Sequence, residues 1–370
     1  MKIKDFKLER FFAKYEFTAP YLLCTSDCES ITVEDLFQLD ANAEKDFKNL
    51  RLNYTESLGN PVLREEISNL YNNTSPEYVM VCAGAEEGIF IFMNVLLNPG
   101  DHMIVQFPAY QSLYEIANTI GCQVSEWCMD ADNNWELDLD FLNKTITPKT
   151  KAIVINFPNN PTGYTISREK LNQIVEIARE HDICIFSDEV YRFLEYNEKD
   201  RLPCMCDIYD KGVSLGVMSK SFGLAGLRIG WMVTKDKTLF NRMASFKDFT
   251  TICSSGPSEF LTILALRHKD FILERNLGII HSNLQLLEPF FDRYSDRFRW
   301  IRPKAGPLAF PELLFTDDAE AFCLDLVEKK GVLLAPGNIF NYDNNHMRIG
   351  FGRKNMPEAL ARLEEYLEKN

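Results

Sequence analysis

From residue 78 to residue 234 the chain repeats one alternation of apolar and polar positions. Short apolar runs occupy 78–82, 103–107, 123–127, 152–157, 183–187, 213–218 and 229–234. Between several of them, at 86–97, 111–120 and 168–181, apolar residues recur at helical spacing. The runs are mostly apolar throughout rather than alternating, as strands covered on both faces require. The pattern predicts an α/β fold, a mostly parallel sheet flanked by helices, in a large domain spanning about 50–260. Ligands of such sheets collect at the carboxyl ends of strands, so the residues that close each run become the candidates for chemistry.

The flanks read differently. Residues 1–35 suggest a helix followed by a loop, mixing aromatic residues (Phe11, Phe12, Tyr15, Phe17) with acids (Glu16, Asp27, Glu29). A helix is predicted over 36–50, a turn-rich segment over 53–61, and a second helix over 63–71. Beyond 260, helical patterns at 259–269 and 271–295 precede short strand candidates at 300–301, 331–334 and 347–351, and an amphipathic helix at 357–369 closes the chain. This predicts a smaller α+β domain built from 261–370 and completed by 1–49.

At 370 residues and 46% hydrophobic, the chain can bury an ample core across two such units. A net charge of −14 opposes non-specific binding to nucleic acid or to anionic membranes. Ten cysteines and five histidines fall in no zinc-like spacing, and no HExxH occurs, so no metal is expected. No apolar run approaches the ~20 residues of a membrane helix. The first residues lack the unbroken apolar stretch of a signal peptide. A soluble, cytoplasmic protein with reduced cysteines is the expectation.

Within the segment 215–231, Lys220 stands between Ser219 and Ser221 at a strand end, with Arg228 eight residues on. That suits an amine that forms a Schiff base beside a guanidinium that holds a phosphate, or equally a surface lysine in a glycine-rich loop. Gly84-Ala85-Glu86 joins a strand to a helix and offers free amides to a phosphate, or is simply a tight turn. The Glu86 carboxylate would repel a phosphate and is expected to point away. Tyr110 could stack on a flat ligand or serve the core. Asn160, in Asn159-Asn160-Pro161-Thr162-Gly163, can donate from a rigid loop. Asp188 ends an apolar strand, where a carboxylate needs a cation such as a protonated pyridine, unless the turn is solvated. Tyr191, three residues on, could reach a phenolic oxygen of the same ring. Arg348 is either a surface residue or a fork for a carboxylate. Gly223, Gly226 and Gly230 do not form GxGxxG, so no dinucleotide site is indicated.

In order and spacing these motifs resemble the class I/II aminotransferase family, fold-type I pyridoxal-phosphate enzymes of the aspartate aminotransferase superfamily. The resemblance runs from Tyr54, Gly59 and Leu63-Arg64 through Gly84-Ala85, Pro108-Ala109-Tyr110, Asn159 to Gly163, Asp188 with Tyr191, Ser219-Lys220 and Gly226-Leu227-Arg228-Ile229-Gly230 to Arg348. It implies pyridoxal 5′-phosphate joined to Lys220, which then shuttles a proton. Asp188 would face the pyridine nitrogen, Asn160 and Tyr191 the phenolic oxygen, and Tyr110 the ring. Gly84, Ala85, Glu86, Ser219 and Arg228 would surround the phosphate. Tyr54 would arrive from a partner subunit of a homodimer, and Arg348 would take the substrate carboxylate. Two positions depart from the family: Glu86, often a small hydroxyl or amide, and Val217, often a hydroxyl.

The resemblance also bears on the substrate. Dicarboxylate-specific members bring a second arginine from the partner, whereas 250–255 here reads TTICSS, which disfavours aspartate or glutamate. The acids Glu16 and Asp27 suggest a basic, arginine-like side chain. The N-terminal segment and 303–311 loosely resemble the branch near capreomycidine synthase. The expected activity is transamination of an L-amino acid against a 2-oxo acid. The alternative is a pyridoxal-phosphate lyase, cyclase or oxidase acting on an arginine derivative.

Overall fold

The computed structural model describes residues 2–343 and 345–369. Its centre is a seven-stranded sheet of β1 (Val79–Cys82), β2 (His102–Phe107), β3 (Gln123–Cys128), β4 (Thr150–Asn156), β5 (Cys184–Asp188), β6 (Gly212–Val217) and β7 (Gly230–Val233). The spatial order is β1-β7-β6-β5-β4-β2-β3, and only β7 runs against its neighbours. The seven apolar runs of the sequence are these seven strands, shifted by one or two residues at their ends.

The strands are apolar throughout because both faces are covered. Met103 and Val105 of β2, with Ala152 and Val154 of β4, pack on one core, while Ile104, Ile153 and Ile155 between them pack on the other. That is the two-residue alternation of a pleated strand with no solvent face. Ile89, Phe92 and Met93 of the helix Ala85–Leu96 cover the first face. Leu171, Ile174 and Ala178 of the helix Arg168–Glu180 cover the second. In β3, at the sheet's edge, only Trp127 is buried.

A second set of short strands involves both ends of the chain. Tyr21–Leu22 pairs in parallel with Val332–Leu333. Met347–Gly350 lies between Leu308–Ala309 and Ala335–Pro336, antiparallel to both. The helices Lys269–Arg293 and Met356–Leu367 share the first core cluster with these strands.

The structure corrects several expectations. The helix predicted over 36–50 is two helices, Val33–Phe37 and Ala43–Lys48. Between them the Asp40 carboxylate accepts the Asn42 amide at 2.8 Å, a local turn that competes with helical bonding. The strand placed at 300–301 lies instead at Phe298–Arg299, paired with Glu312–Leu313. Helices at Asp140–Thr145, Met205–Ile208, Lys237–Lys247 and Ala319–Lys330 were not anticipated. Among the described residues no helix is long and apolar enough to cross a membrane. All ten cysteines are unpaired.

Candidate active site

The carboxyl ends of the strands open into one cavity of about 480 Å³. The turn after β1 brings Ala85 and Glu86 to its wall, and the end of β2 brings Tyr110. The end of β4 and its loop bring Asn156 and Asn160, β5 brings Asp188 and Tyr191, and the segment after β6 brings Ser219, Lys220 and Arg228. Phe6 and Glu9, beside and within the helix Lys7–Tyr15, close the remaining side.

Backbone geometry explains the turn at Ala85. Gly84 has φ +85°, a conformation that suits glycine, and a Cβ there would stand 2.9 Å from a terminal nitrogen of Arg228. Opposite it, a Cβ on Gly230 would stand 2.6 Å from the Gly84 carbonyl carbon, so the antiparallel β7 can approach only as glycine. Arg228 itself holds φ 52°, a sparsely populated conformation for a residue with a side chain. The result is a helix start whose first amides have no intrahelical acceptor, facing a guanidinium across the cavity.

The asparagine-rich loop divides its labour. Asn159 accepts from the Thr162 hydroxyl at 2.7 Å and donates to the Pro108 carbonyl, which shapes the loop itself. Asn156 accepts the Asn160 amide at 2.8 Å and donates to the Asp188 carbonyl at 3.0 Å, tying the ends of β4 and β5 together. The Asn160 side chain is left facing the cavity, where its Oδ1 accepts from Arg348 Nη1 at 3.0 Å.

Asp188 and Lys220 face the same space without forming an ion pair. Among the described residues the Asp188 carboxylate accepts only the Val190 amide, at 3.2 Å, and burial pushes its pKa up to about 7. Lys220 donates to the Ser26 hydroxyl at 2.9 Å. Burial holds the lysine below its ordinary pKa, and the Arg348 charge acts the same way against the pull of Asp27, Glu9 and Asp188. A lysine shifted downward is readier to act as a nucleophile. The Tyr191 hydroxyl is fully buried and has no hydrogen-bond partner of good geometry, though Ser26 lies beside it.

Arg348 is fully buried, which settles the choice between surface and interior. Its Nε and Nη2 donate to the Cys24 carbonyl at 3.1 and 2.8 Å, and Phe12 and Phe340 lie against its guanidinium. Tyr110 donates to the Glu9 carboxylate at 3.0 Å, and its ring centroid is 4.9 Å from that of Phe6.

Two sequence-based expectations change. Glu86 lines the cavity and is largely buried rather than out in solvent: Ser112 donates to its carboxylate at 3.1 Å, and its pKa is pushed up to about 7, chiefly by burial. Asp27 is not free for a substrate, because Arg353 grips both its oxygens at 2.9 and 3.0 Å. Glu16, by contrast, makes no ion pair among the described residues. Its pKa is raised by burial and by the charges of Asp27 and Glu9, which outweigh Arg353 and Lys220. Tyr54 is 85% exposed and lies off this chain's cavity.

Sequence reasoning missed Glu9, Phe6, Ser26 and the bracing role of Asn156. Only Glu9 carried a signal. It precedes Glu16 by seven residues, two helical turns, with Phe12 between them on the same face. Among the described residues no His, Cys, Asp and Glu group has the arrangement of a metal site.

The residues fit pyridoxal phosphate on three counts. Among the described residues there is a glycine-floored cradle for a phosphate, a buried carboxylate with no ion pair, and a buried phenol with no well-aligned partner.

Comparisons agree with that chemistry. The family model for class I and II aminotransferases matches residues 22–363. A pyridoxal-phosphate-dependent aminotransferase from Streptococcus suis superposes with a TM-score of 0.94 at 34% identity, covering 100% of this chain and 99% of that one. The pyridoxal-phosphate-dependent cyclase OrfR superposes at 0.92 with 27% identity, covering 100% and 98%. Capreomycidine synthase of Streptomyces vinaceus is 26% identical over 99% of this chain and 93% of its own. A probable aspartate aminotransferase of Methanocaldococcus jannaschii is 27% identical over 94% and 95%.

Proposed function

The chain belongs to the class I and II aminotransferases, pyridoxal-phosphate-dependent enzymes, and from that premise we propose that it transfers the amino group of a basic L-amino acid to a 2-oxo acid. The observation that carries the chemistry is the convergence of Lys220, Asp188 and Asn160 on one cavity, with Arg348 bonded to Asn160 behind its wall. When bound, the cofactor supplies an aldehyde and a protonated pyridine that draws electrons away from the substrate α-carbon.

The chain's own residues do the rest. The Lys220 amine, already shifted toward its neutral form, would hold the cofactor through its aldehyde, and once free it would serve as the base that carries the substrate α-proton. Asp188, ionised, would hold the pyridine proton in place, and such a pairing would bring its raised pKa down again. Tyr191 and the Asn160 amide would donate to the phenolic oxygen. Tyr110 would cover the ring, steadied by Glu9. Arg348, its Nε and Nη2 anchored on the Cys24 carbonyl, offers its remaining donors to the substrate carboxylate and so fixes which bond stands over the ring.

The preference for a basic side chain rests on Glu16, an acid that shares the electrostatic environment of Lys220 and makes no ion pair among the described residues. Asp27, spent on Arg353, leaves Glu16 as the acid that would select the side chain. A second copy of the chain completes the site. Leu52, Tyr54 and Phe249 are each more than four-fifths exposed. Their segments adjoin through Thr55 bonding to Ser254 and Ser57 to Asp248. Such a patch suits a dimer interface that carries Tyr54 across.

A screen of amino acids against the holoenzyme's absorbance tests the reading. Arginine, lysine or ornithine should convert the bound cofactor fastest, stopping at the aminated form until a 2-oxo acid is added. Turnover of neutral or aromatic amino acids, with arginine and lysine inert, would contradict the substrate class. Continued turnover of a basic amino acid without any 2-oxo acid would favour the second reading, cyclisation or elimination. The likeness to capreomycidine synthase and OrfR over essentially the whole chain supports that alternative.

A further inference from the structure

Glu86 is the second residue of the helix Ala85–Leu96, beside the amides that face the cavity. A carboxylate there opposes the phosphate that those amides would bind, and an isolated anion next to another anion is costly. Nevertheless Glu86 lines the cavity, its carboxylate accepting from the Ser112 hydroxyl at 3.1 Å and feeling the charges of Arg228 and Glu9, which line the same cavity.

The groups facing it come from every neighbouring element. Arg228, from the segment after β6, favours the ionised form but makes no ion pair with it. Glu9, from the N-terminal helix, disfavours ionisation. Tyr110 beyond β2 and Asp188 at the end of β5 both feel its charge. Burial outweighs them all, so Glu86 titrates at about 7 with the cavity open. A phosphate brings ~1.5 to 2 negative charges and displaces water. Both changes favour the neutral acid further.

We propose that Glu86 is a neutral carboxylic acid in the holoenzyme and donates its proton to a phosphate oxygen, so that the cofactor binds with uptake of a proton and is held less tightly as pH rises. A hydroxyl or amide in this place could not couple cofactor binding to pH in this way. The inference rests on placing the phosphate between the Ala85 amide and Arg228.

The test uses protein stripped of cofactor and pyridoxamine 5′-phosphate, which has the same ring and phosphate but cannot condense with Lys220. Affinity and proton uptake are measured by calorimetry from pH 6.5 to 8.5, in buffers of differing ionisation enthalpy, for wild type and Glu86→Gln. One coupled proton weakens binding by about tenfold per pH unit above the empty site's titration. The two proteins should therefore bind alike at pH 6.5, while at pH 8.5 the variant binds about tenfold or more tighter. Near pH 8 the wild type should take up close to one proton more than the variant. Parallel pH profiles, or equal proton uptake, overturn the proposal. In wild type alone, the infrared difference between loaded and stripped protein at pH 8 should gain a protonated-carboxyl band, and no gain there overturns it as well.

Discussion

Arg348 and Asn160 stand 188 residues apart in the chain and are joined by a 3.0 Å hydrogen bond from guanidinium to amide oxygen. One lies in the strand Met347–Gly350, the other in the loop after β4. Because the amide oxygen is occupied, the Asn160 amino group is the part left to face the cavity as a donor. A single contact thus orients the proposed carboxylate grip and one donor to the cofactor ring together.

Arg348→Lys keeps the charge but loses the planar fork. The KM for the amino acid should rise by roughly 10- to 100-fold, the worth of one or two charged hydrogen bonds, while cofactor absorbance stays unchanged. Steady-state kinetics with an unchanged KM would remove Arg348 from substrate binding.

Asp188→Asn should retain the cofactor yet lower kcat by roughly 10²- to 10³-fold, because a neutral amide no longer stabilises the protonated pyridine. A variant running at the wild-type rate would show that this carboxylate has another role.

Glu16→Gln should lower kcat/KM for arginine by about tenfold and leave a neutral straight-chain amino acid within about twofold. Asp27→Asn, which breaks the pair with Arg353, should affect both substrates alike. Equal losses on both substrates in Glu16→Gln would mean that its charge does not select the side chain.

Glu259 gives a prediction for stability. It is buried on the helix Gly256–Arg267, accepts the Asn60 amide at 3.2 Å, and leaves its second oxygen unpaired. Burial raises its pKa from 4.5 to about 7, against the opposing Asn60, Thr55 and Lys247. Between those values the unfolded chain ionises and the folded one does not, so this group's contribution is intact below 4.5 and is lost as pH approaches 7. Urea unfolding of Glu259→Gln should gain on wild type across that window and level off above it. A constant gap from pH 4.5 to 8 would contradict the assignment.

Much of this molecule was legible in its sequence for a physical reason. A sheet covered on both faces leaves an unbroken apolar run for every buried strand, and its ligand residues must follow those runs directly. The placement of Asp188, Lys220 and Asn160 around one cavity was therefore readable. What was not legible depends on long-range packing. The fate of Asp27 is decided by Arg353, 326 residues away, and the partner of Lys220 by Ser26, 194 residues back. Glu86 was misread because helix position alone does not show that Ser112 anchors the side chain at the cavity wall. The break at Asp40 was missed because a short-range side-chain bond outweighed a favourable helical pattern.

The central claim is that the Lys220 amine carries the cofactor opposite Asp188. Borohydride reduction of the holoenzyme followed by peptide mass spectrometry tests it most directly. The pyridoxyl-phosphate mass should appear on the peptide containing Lys220 and vanish in Lys220→Ala together with the cofactor absorbance. Recovery of the label on a different lysine, or unaltered absorbance in the variant, would contradict it.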